Sequence, residues 1–178
     1  VPPTANISGS TSICKGNSAT LTLTFTGTGP FNYSYSDGST TLNGSSLTNT
    51  TSINVSPSAN TTYTLTKVTG AGSCVGTVSG SATVNINPAP TASLTGNFTL
   101  CAGENVNFPI TFTGTGPFKF VYAVNGTQQA PLTSPTNTFF ISTNNVQAPQ
   151  TFTLVSVQDA NCPGTVNGQV QVSVNAPP

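Results

Sequence analysis

Histidine is absent from this sequence of 178 residues, and only six residues are charged. Enzymatic catalysis needs titratable side chains that lie together and exchange protons or attack a substrate. One glutamate and two aspartates, none of them adjacent in sequence, do not provide such a set. The sequence therefore predicts a protein that is not an enzyme and that uses no cofactor. The charged residues are Lys15, Lys67, Lys119, Asp37, Glu104 and Asp159.

The formal net charge is zero, so no strongly basic or acidic surface can be assembled. Nucleic acid and anionic membrane surfaces are bound through such surfaces, and neither is expected as a partner. No apolar stretch approaches the ~18 residues that a spanning helix requires, so membrane insertion is not expected. The first residue opens neither a signal peptide nor an initiator methionine, which indicates a segment of a longer protein.

Threonine, serine and asparagine make up 72 of the 178 residues, a bias that is typical of disordered mucin-like segments when apolar residues are few and unpatterned. Here the apolar residues are patterned. Leu21, Leu23 and Phe25 alternate strictly with threonines, so the hydroxyl groups fall on one face and the apolar groups on the other. Such period-two alternation predicts folded β-strands.

The sequence repeats itself with a period of about 88 residues, which predicts two small domains, 1–88 and 89–178. A proline-rich junction, Asn87-Pro88-Ala89-Pro90, separates them. The matched segments are Pro3-Thr4-Ala5 with Pro90-Thr91-Ala92, Cys14 with Cys101, Gly27-Thr28-Gly29-Pro30-Phe31 with Gly114-Thr115-Gly116-Pro117-Phe118, and Cys74 with Cys162.

Alternation and turn residues predict seven strands in the first copy and no helix. Asp37-Gly38 and Asn125-Gly126 predict tight type I′ hairpins, because both central residues of that turn need positive φ. Pro109 interrupts a predicted strand and indicates an edge position or a bulge. Together these signals predict two tandem Greek-key β-sandwiches. The strands are predicted at 4–8, 11–14, 18–26, 31–36, 50–56, 61–69 and 77–87.

Alternation also predicts the core of each sandwich. The first core is predicted to contain Leu21, Leu23, Phe25, Tyr33, Tyr35, Ile53, Val55, Tyr63, Leu65, Val84 and Ile86. The second is predicted to contain Phe108, Ile110, Phe112, Phe118, Phe120, Phe152, Leu154, Val172 and Val174.

Several strings in both copies resemble one group of bacterial repeats. The strings are Ser12-Ile13-Cys14-Lys15-Gly16, Thr20-Leu21-Thr22-Leu23, Gly27 to Phe31, Thr61 to Thr66, and Cys74 with Gly76-Thr77. Nearly the whole chain thereby resembles the tandem immunoglobulin-like or PKD-like modules of very large surface adhesins in gliding, type IX-secreting bacteria. The resemblance implies an all-β fold of two tandem immunoglobulin-like Greek-key β-sandwiches in an extracellular filament at the cell surface.

The cysteines are predicted to form disulfides, because disulfides persist in exported proteins. Their spacing fits no CxxC metal site, and no bound metal is expected. One possible pairing lies within each copy, Cys14 with Cys74 and Cys101 with Cys162. The strand order places those partners at opposite ends of a sandwich, roughly 26 Å apart, whereas a disulfide needs Cα atoms within about 7 Å. The alternative pairs Cys14 with Cys162 and leaves Cys74 and Cys101 to bond outward.

These observations and the resemblance predict a non-catalytic repeat segment of an extracellular adhesin or surface filament that acts as a stiff stalk. The expected partners are neighbouring repeats of the same chain, with surface glycans or other cells beyond them. A carbohydrate-binding module is one alternative, and it needs an exposed aromatic platform from Tyr35, Tyr122 or Phe139 or an ordered hydroxyl array at 20–26 and 62–66. A fimbrial subunit is the other, and it needs an orphan donor strand.

Overall fold

The computed structural model describes residues 1–175, and it consists mainly of β-strands. The chain divides into two compact units, Val1–Asn87 and Pro88–Pro178, here called repeat 1 and repeat 2. Each unit has its own strands and its own apolar core.

Repeat 1 is a sandwich of two sheets. Its strands are β1 (Thr4–Ser8), β2 (Thr11–Cys14), β3 (Ala19–Thr26), β4 (Phe31–Ser36), β5 (Thr41–Ser46), β6 (Thr50–Val55), β7 (Thr61–Thr69), β8 (Thr77–Ser79) and β9 (Ser81–Asn87). One sheet has the order β6-β3-β1-β8 and the other β2-β9-β7-β4-β5. The chain changes sheet at every connection except the β4–β5 hairpin, as expected of a Greek-key sandwich.

Repeat 2 has the corresponding strands, but they are divided at different places. They are β10 (Thr91–Cys101), β11 (Glu104–Thr113), β12 (Phe118–Val124), β13 (Thr127–Gln128), β14 (Leu132–Ser134), β15 (Thr138–Val146), β16 (Gln150–Gln158) and β17 (Thr165–Asn175). The order is β13-β12-β16-β17-β10-β11-β15, with β14 paired to β12. Strands β10 and β17 are continuous where repeat 1 has β1 with β2 and β8 with β9, and they link the two layers.

Glycines allow these long strands to bend from one layer to the other. Gly96 in β10 has a φ of 139° and Gly168 in β17 a φ of 80°. Gly9 and Gly80, at the matching breaks of repeat 1, have φ values of 111° and 79°. A side chain disfavours positive φ, and a Cβ on Gly168 would also overlap the Leu94 carbonyl oxygen. Glycine is therefore required at the bend.

The seven strands predicted for repeat 1 are confirmed, the last of them as the pair β8 and β9. Strand β5 was not predicted, because Thr-Leu-Asn-Gly-Ser-Ser has no apolar alternation. It lies at the edge of its sheet and is mostly exposed, so it buries little that a sequence pattern could reveal.

Only one of the two predicted type I′ hairpins is present. Asn125 and Gly126 have φ values of 49° and 81° and join β12 to β13, as predicted. The prediction for Asp37-Gly38 is wrong, since only the glycine has positive φ and four residues separate the paired strand ends. The Asp37 carboxylate instead accepts the backbone N–H groups of Ser39 and Thr40, which stabilises a longer turn.

The edge position predicted for Pro109 is also wrong, because β11 lies between β10 and β15. The register shift in the β11–β15 ladder falls between Glu104 and Val106, away from the proline. Pairing with β10 ends at Ile110 and Leu94, one residue before Pro109. The proline therefore needs no N–H on that side, and a central strand tolerates it.

The core of each repeat is built around a stacked pair of phenylalanines. Phe25 and Phe31 have ring centroids 4.9 Å apart, and so do Phe112 and Phe118. All predicted core residues are buried except Tyr35, Ile86 and Val174, which are partly buried and pack against the cores. The cores also contain Ala5, Ile7, Ala19, Phe31, Val68, Ala82, Ala92, Leu94, Val106, Ile141, Val146, Val157 and Val170, which were not predicted.

Candidate functional site

Cys14 and Cys101 occupy the same position in the two repeats. Each is the last residue of its strand, and each pairs with the last residue of the final strand of its repeat, Asn87 or Asn175. In both repeats a glycine with a φ of 91° turns the chain two residues later. These two residues, here called the closing cysteines, lie at the end where the chain leaves each repeat.

Cys74 and Cys162 also occupy matching positions, in the loops between β7 and β8 and between β16 and β17. Just after each loop, a threonine N–H donates to the carbonyl oxygen of the proline before the first strand. The proline is Pro3 in repeat 1, at 3.1 Å, and Pro90 in repeat 2, at 3.0 Å. Cys74 and Cys162, here called the opening cysteines, therefore lie at the end where the chain enters each repeat.

The two opening loops share three further backbone hydrogen bonds, although the loop of repeat 1 is one residue longer. The matching bonds run from Gly70 N–H to Cys74 O and Asp159 N–H to Cys162 O, from Ala71 N–H to Thr28 O and Ala160 N–H to Thr115 O, and from Gly76 N–H to Val68 O and Gly164 N–H to Val157 O. The opening cysteines are thus held in equivalent frameworks.

The bonding state differs between equivalent cysteines. Cys14 and Cys162 are disulfide-bonded. Cys74 and Cys101 are free thiols, and both are exposed. Neither pairing within a repeat is therefore formed, and the outward bonding predicted for Cys74 and Cys101 stays a prediction.

The strand register of repeat 1 explains why its own two cysteines do not pair. Cys14 lies opposite Asn87, at the far end of β9. Cys74 lies near Thr77, whose N–H bonds to Pro3 at the entry end. Residues 77 to 87 span about 33 Å when extended, and a bend shortens this far less than the bond requires. The Cα atoms of a disulfide must lie within about 7 Å, so the two thiols cannot meet.

Asp159 holds the loop of Cys162 in place, and it is only 5% exposed. Its Oδ1 accepts the N–H groups of Asn161 at 2.8 Å and Cys162 at 2.7 Å, and its Oδ2 accepts that of Thr115 at 3.0 Å. Burial alone raises the pKa of this carboxyl, but the three backbone donors outweigh it, so the pKa lies below its usual range. Repeat 1 has a glycine at this place and lacks the carboxylate.

Asp159→Asn is expected to lower the free energy of unfolding of repeat 2 by about 1.5 kcal/mol at pH 7, because an amide NH₂ cannot accept one of these hydrogen bonds. The depressed pKa means that the stabilisation is complete above about pH 4 and is lost as the pH falls through the folded-state pKa. Urea unfolding, followed by hydrogen exchange in repeat 2, should show the variant and the natural chain converging in acid.

The matched control is Asp37→Asn in repeat 1. Hydrogen bonds from Thr40 and then Ser39 also lower the pKa of the Asp37 carboxyl, but this residue is less buried than Asp159, so a smaller loss is expected. A deficit of the Asp159 variant that persists undiminished in acid would contradict the role of the carboxylate.

The predicted hydroxyl rows are present on the exposed faces of β3 and β7. Hydroxyl groups in these rows bond across strands: Thr26 lies 2.7 Å from Thr4, and Thr62 lies 2.9 Å from Thr83, oxygen to oxygen. Such pairs use part of the hydrogen-bonding capacity that a ligand would need. The arrangement favours a role in sheet stability over a ligand-binding array.

The three aromatic residues that could form a carbohydrate-binding platform are not fully exposed. Tyr35, Tyr122 and Phe139 are partly buried and pack against the cores. The ring of Tyr35 lies 6.4 Å from that of Tyr33, and the ring of Phe139 lies 5.0 Å from that of Phe120, centroid to centroid. At these positions the structure has packed side chains rather than a flat exposed surface.

A cleft of about 450 Å³ opens beside the β4–β5 turn, and Tyr35, Asp37 and Tyr63 contribute to its wall. The Asp37 carboxylate already accepts hydrogen bonds from Ser39 and Thr40. Tyr63 is 5% exposed, and burial raises the pKa of its hydroxyl. The cleft therefore offers a ligand neutral hydroxyl groups and one carboxylate that is already engaged.

Among residues 1–175, no three histidine, cysteine, aspartate or glutamate side chains lie together in a way that could hold a metal ion. In the same part of the chain, no helix has the length and apolar character needed to cross a membrane.

Comparisons with known proteins define the class of fold. The family model of the immunoglobulin-like domain of nucleoporin POM152 matches residues 89–171. None of the curated proteins matches the sequence. The predicted fold class, two tandem immunoglobulin-like β-sandwiches, is confirmed. The sheet topology of both repeats, the match to this family model and the structural similarities described next all support it.

The chain is similar in structure to the I-band fragment I67–I69 of titin. The TM-score is 0.65 at 14% sequence identity, over 99% of this chain and 67% of the titin fragment. A mutated variant of titin I67–I69, in which Glu is replaced by Ala, gives a TM-score of 0.64 at 14% identity, over 99% of this chain and 66% of that one. The chain thus spans about two thirds of these fragments, and at such identity the likeness shows the fold alone.

Proposed function

We propose that this chain is a non-catalytic, load-bearing segment of an extracellular adhesin or surface filament, in which a disulfide between Cys14 and Cys162 joins one repeat to the next. The observation behind the proposal is that one cysteine from each repeat is bonded while the other two are free thiols. The sequence contains four cysteines, so each bonded cysteine has only the other as its partner within the chain.

The position of each bonded cysteine within its own repeat supports this pairing. Cys14 lies opposite Asn87, the last residue of repeat 1. Cys162 lies three residues before Thr165 in the chain. The Thr165 N–H donates a hydrogen bond to the Pro90 carbonyl oxygen. Only residues 88 and 89 separate Asn87 from Pro90. A bond between these two thiols therefore closes a ring around the junction and limits how far the junction can bend.

The disulfide also supports the extracellular location in this proposal, because disulfides form and persist in oxidising compartments. In this role the repeats set length and stiffness. Neighbouring repeats are the direct partners, and contact with glycans or other cells resides in other domains of the same protein.

Disulfide mapping tests the proposal directly. The chain is alkylated without reduction, digested with pepsin and analysed by mass spectrometry. We expect one cross-linked pair of peptides joining Cys14 to Cys162, with Cys74 and Cys101 alkylated. A Cys14–Cys74 or Cys101–Cys162 pair would overturn it, and the Cys14→Ser variant shows which signals depend on the bond.

Carbohydrate binding is the second candidate, and the cleft beside the β4–β5 turn is the observation that favours it. A glycan array probed with the oxidised chain should be blank if the segment is a structural spacer. Binding that is lost in Tyr35→Ala would assign the cleft to a carbohydrate instead.

A further inference from the structure

The two free thiols are the counterparts of the two bonded cysteines. Cys101 is the closing cysteine of repeat 2, as Cys14 is of repeat 1. Cys74 is the opening cysteine of repeat 1, as Cys162 is of repeat 2. The bonded pair consists of one closing and one opening cysteine. The free pair has the same composition, and both of its thiols are exposed.

We propose that Cys101 and Cys74 form the same kind of bond between molecules, with Cys101 of one copy joined to Cys74 of a second copy of this chain. The copies are then linked head to tail by the chemistry that joins the two repeats of one copy. This inference rests on the proposed Cys14–Cys162 bond and extends it to a defined partner.

The surroundings of the two thiols fit such a partner. Beside Cys74 lies a recess of about 260 Å³, whose wall includes Pro3, Thr28 and Gly70 and no acidic or basic side chain. At Cys101 the nearby Glu104 carboxylate accepts the Cys101 backbone N–H at 2.7 Å. The approach of one end to the other therefore brings no pair of like-charged side chains together.

Bond formation requires an oxidant, and oxidised glutathione represents the class of small disulfides that serves. The Cys101 thiolate attacks this disulfide, expels one glutathione thiolate and forms a mixed disulfide. The Cys74 thiolate of the second copy then attacks the Cys101 sulfur and expels the second glutathione. Two thiols are oxidised to one disulfide, and one glutathione disulfide is reduced to two thiols.

The experiment uses two variants of the full chain, Cys74→Ser, which keeps Cys101, and Cys101→Ser, which keeps Cys74. Each is incubated in a glutathione redox buffer near pH 8 to allow thiol–disulfide exchange. The unchanged chain should give a ladder of covalent oligomers on a non-reducing gel. An equal mixture of the variants should form dimers and no larger oligomers. Its dimer yield should be about tenfold higher than that of either variant alone, because a small free-energy preference for the Cys101–Cys74 pair is enough for a tenfold ratio.

Three results would overturn the inference. The first is equal dimer from Cys74→Ser alone, which means that Cys101 pairs with itself. The second is the same yield from the mixture in guanidinium chloride, where folded ends no longer select partners. The third is an unchanged chain that stays monomeric, whether its thiols remain free or join within one molecule. A Cys14–Cys162 peptide beside any of these results leaves the proposed function intact, so the two failures are distinguishable.

Discussion

Pulled from its two ends, the oxidised chain is expected to lengthen by about 500 Å less than the reduced chain. The proposed Cys14–Cys162 bond encloses residues 15–161, and each residue adds about 3.5 Å to an extended chain. Both apolar cores lie almost wholly within that loop. While the bond is intact, the applied force passes through the sulfur atoms, and unfolding of either core adds no length.

Single-molecule force spectroscopy with and without a reductant measures this difference. A chain carrying Cys14→Ser and Cys162→Ser should extend fully in both conditions. A matched control with Cys74→Ser and Cys101→Ser keeps the bond and should behave as the unchanged chain. Two complete unfolding events in the oxidised chain would show that the bond does not join the repeats.

Gly164→Ala is expected to lower the free energy of unfolding of repeat 2 by about 4 kcal/mol, from overpacking together with a lost hydrogen bond. A Cβ at this position would overlap the Pro90 carbonyl oxygen and would lie 2.8 Å from its carbon. The same oxygen accepts the Thr165 N–H at 3.0 Å. Because the obstacle is backbone, it cannot rotate away, and the start of the β10–β17 ladder must open.

Thermal unfolding should show the transition of repeat 2 lowered by more than about 15 °C, since 1 kcal/mol corresponds to roughly 4–8 °C in a domain of this size. The control is Gly126→Ala, where no atom lies within 4 Å and only a φ of 81° opposes the change. That variant should cost about 1 kcal/mol. Gly76→Ala meets the carbonyl of Pro3 in the same way and should destabilise repeat 1. Equal losses for Gly164 and Gly126 would contradict the steric argument.

The alternation of apolar and hydroxyl side chains was sufficient to predict most strands, because most of the predicted strands bury one face. Strand β5 was missed because it buries almost nothing, and an exposed edge strand is held by backbone pairing that any sequence can make. Asp37-Gly38 was misread as a two-residue turn. The Asp37 side chain competes for the local N–H groups, and the turn lengthens to accommodate those bonds.

The site was predicted in part. Sequence spacing identified the four cysteines and showed that partners within a repeat would lie far apart, but it left the choice of pairing open, since a bond depends on distances that spacing does not contain. Asp159 was not singled out. It has no counterpart in repeat 1, where Gly70 takes its place, so the comparison of the two copies held no signal for it.

The first and last strands of repeat 2 run parallel, and they pair at eleven positions from Thr91 with Thr165 to Cys101 with Asn175. Tension on the two ends of that repeat pulls such strands past each other. All the paired positions then bear the load in shear at the same time, whereas strands that are peeled apart lose their pairs one after another. In repeat 1 the corresponding contact is broken into three rungs and four rungs by the bend at Gly9. Under reducing conditions we therefore expect repeat 1 to unfold at a lower force than repeat 2.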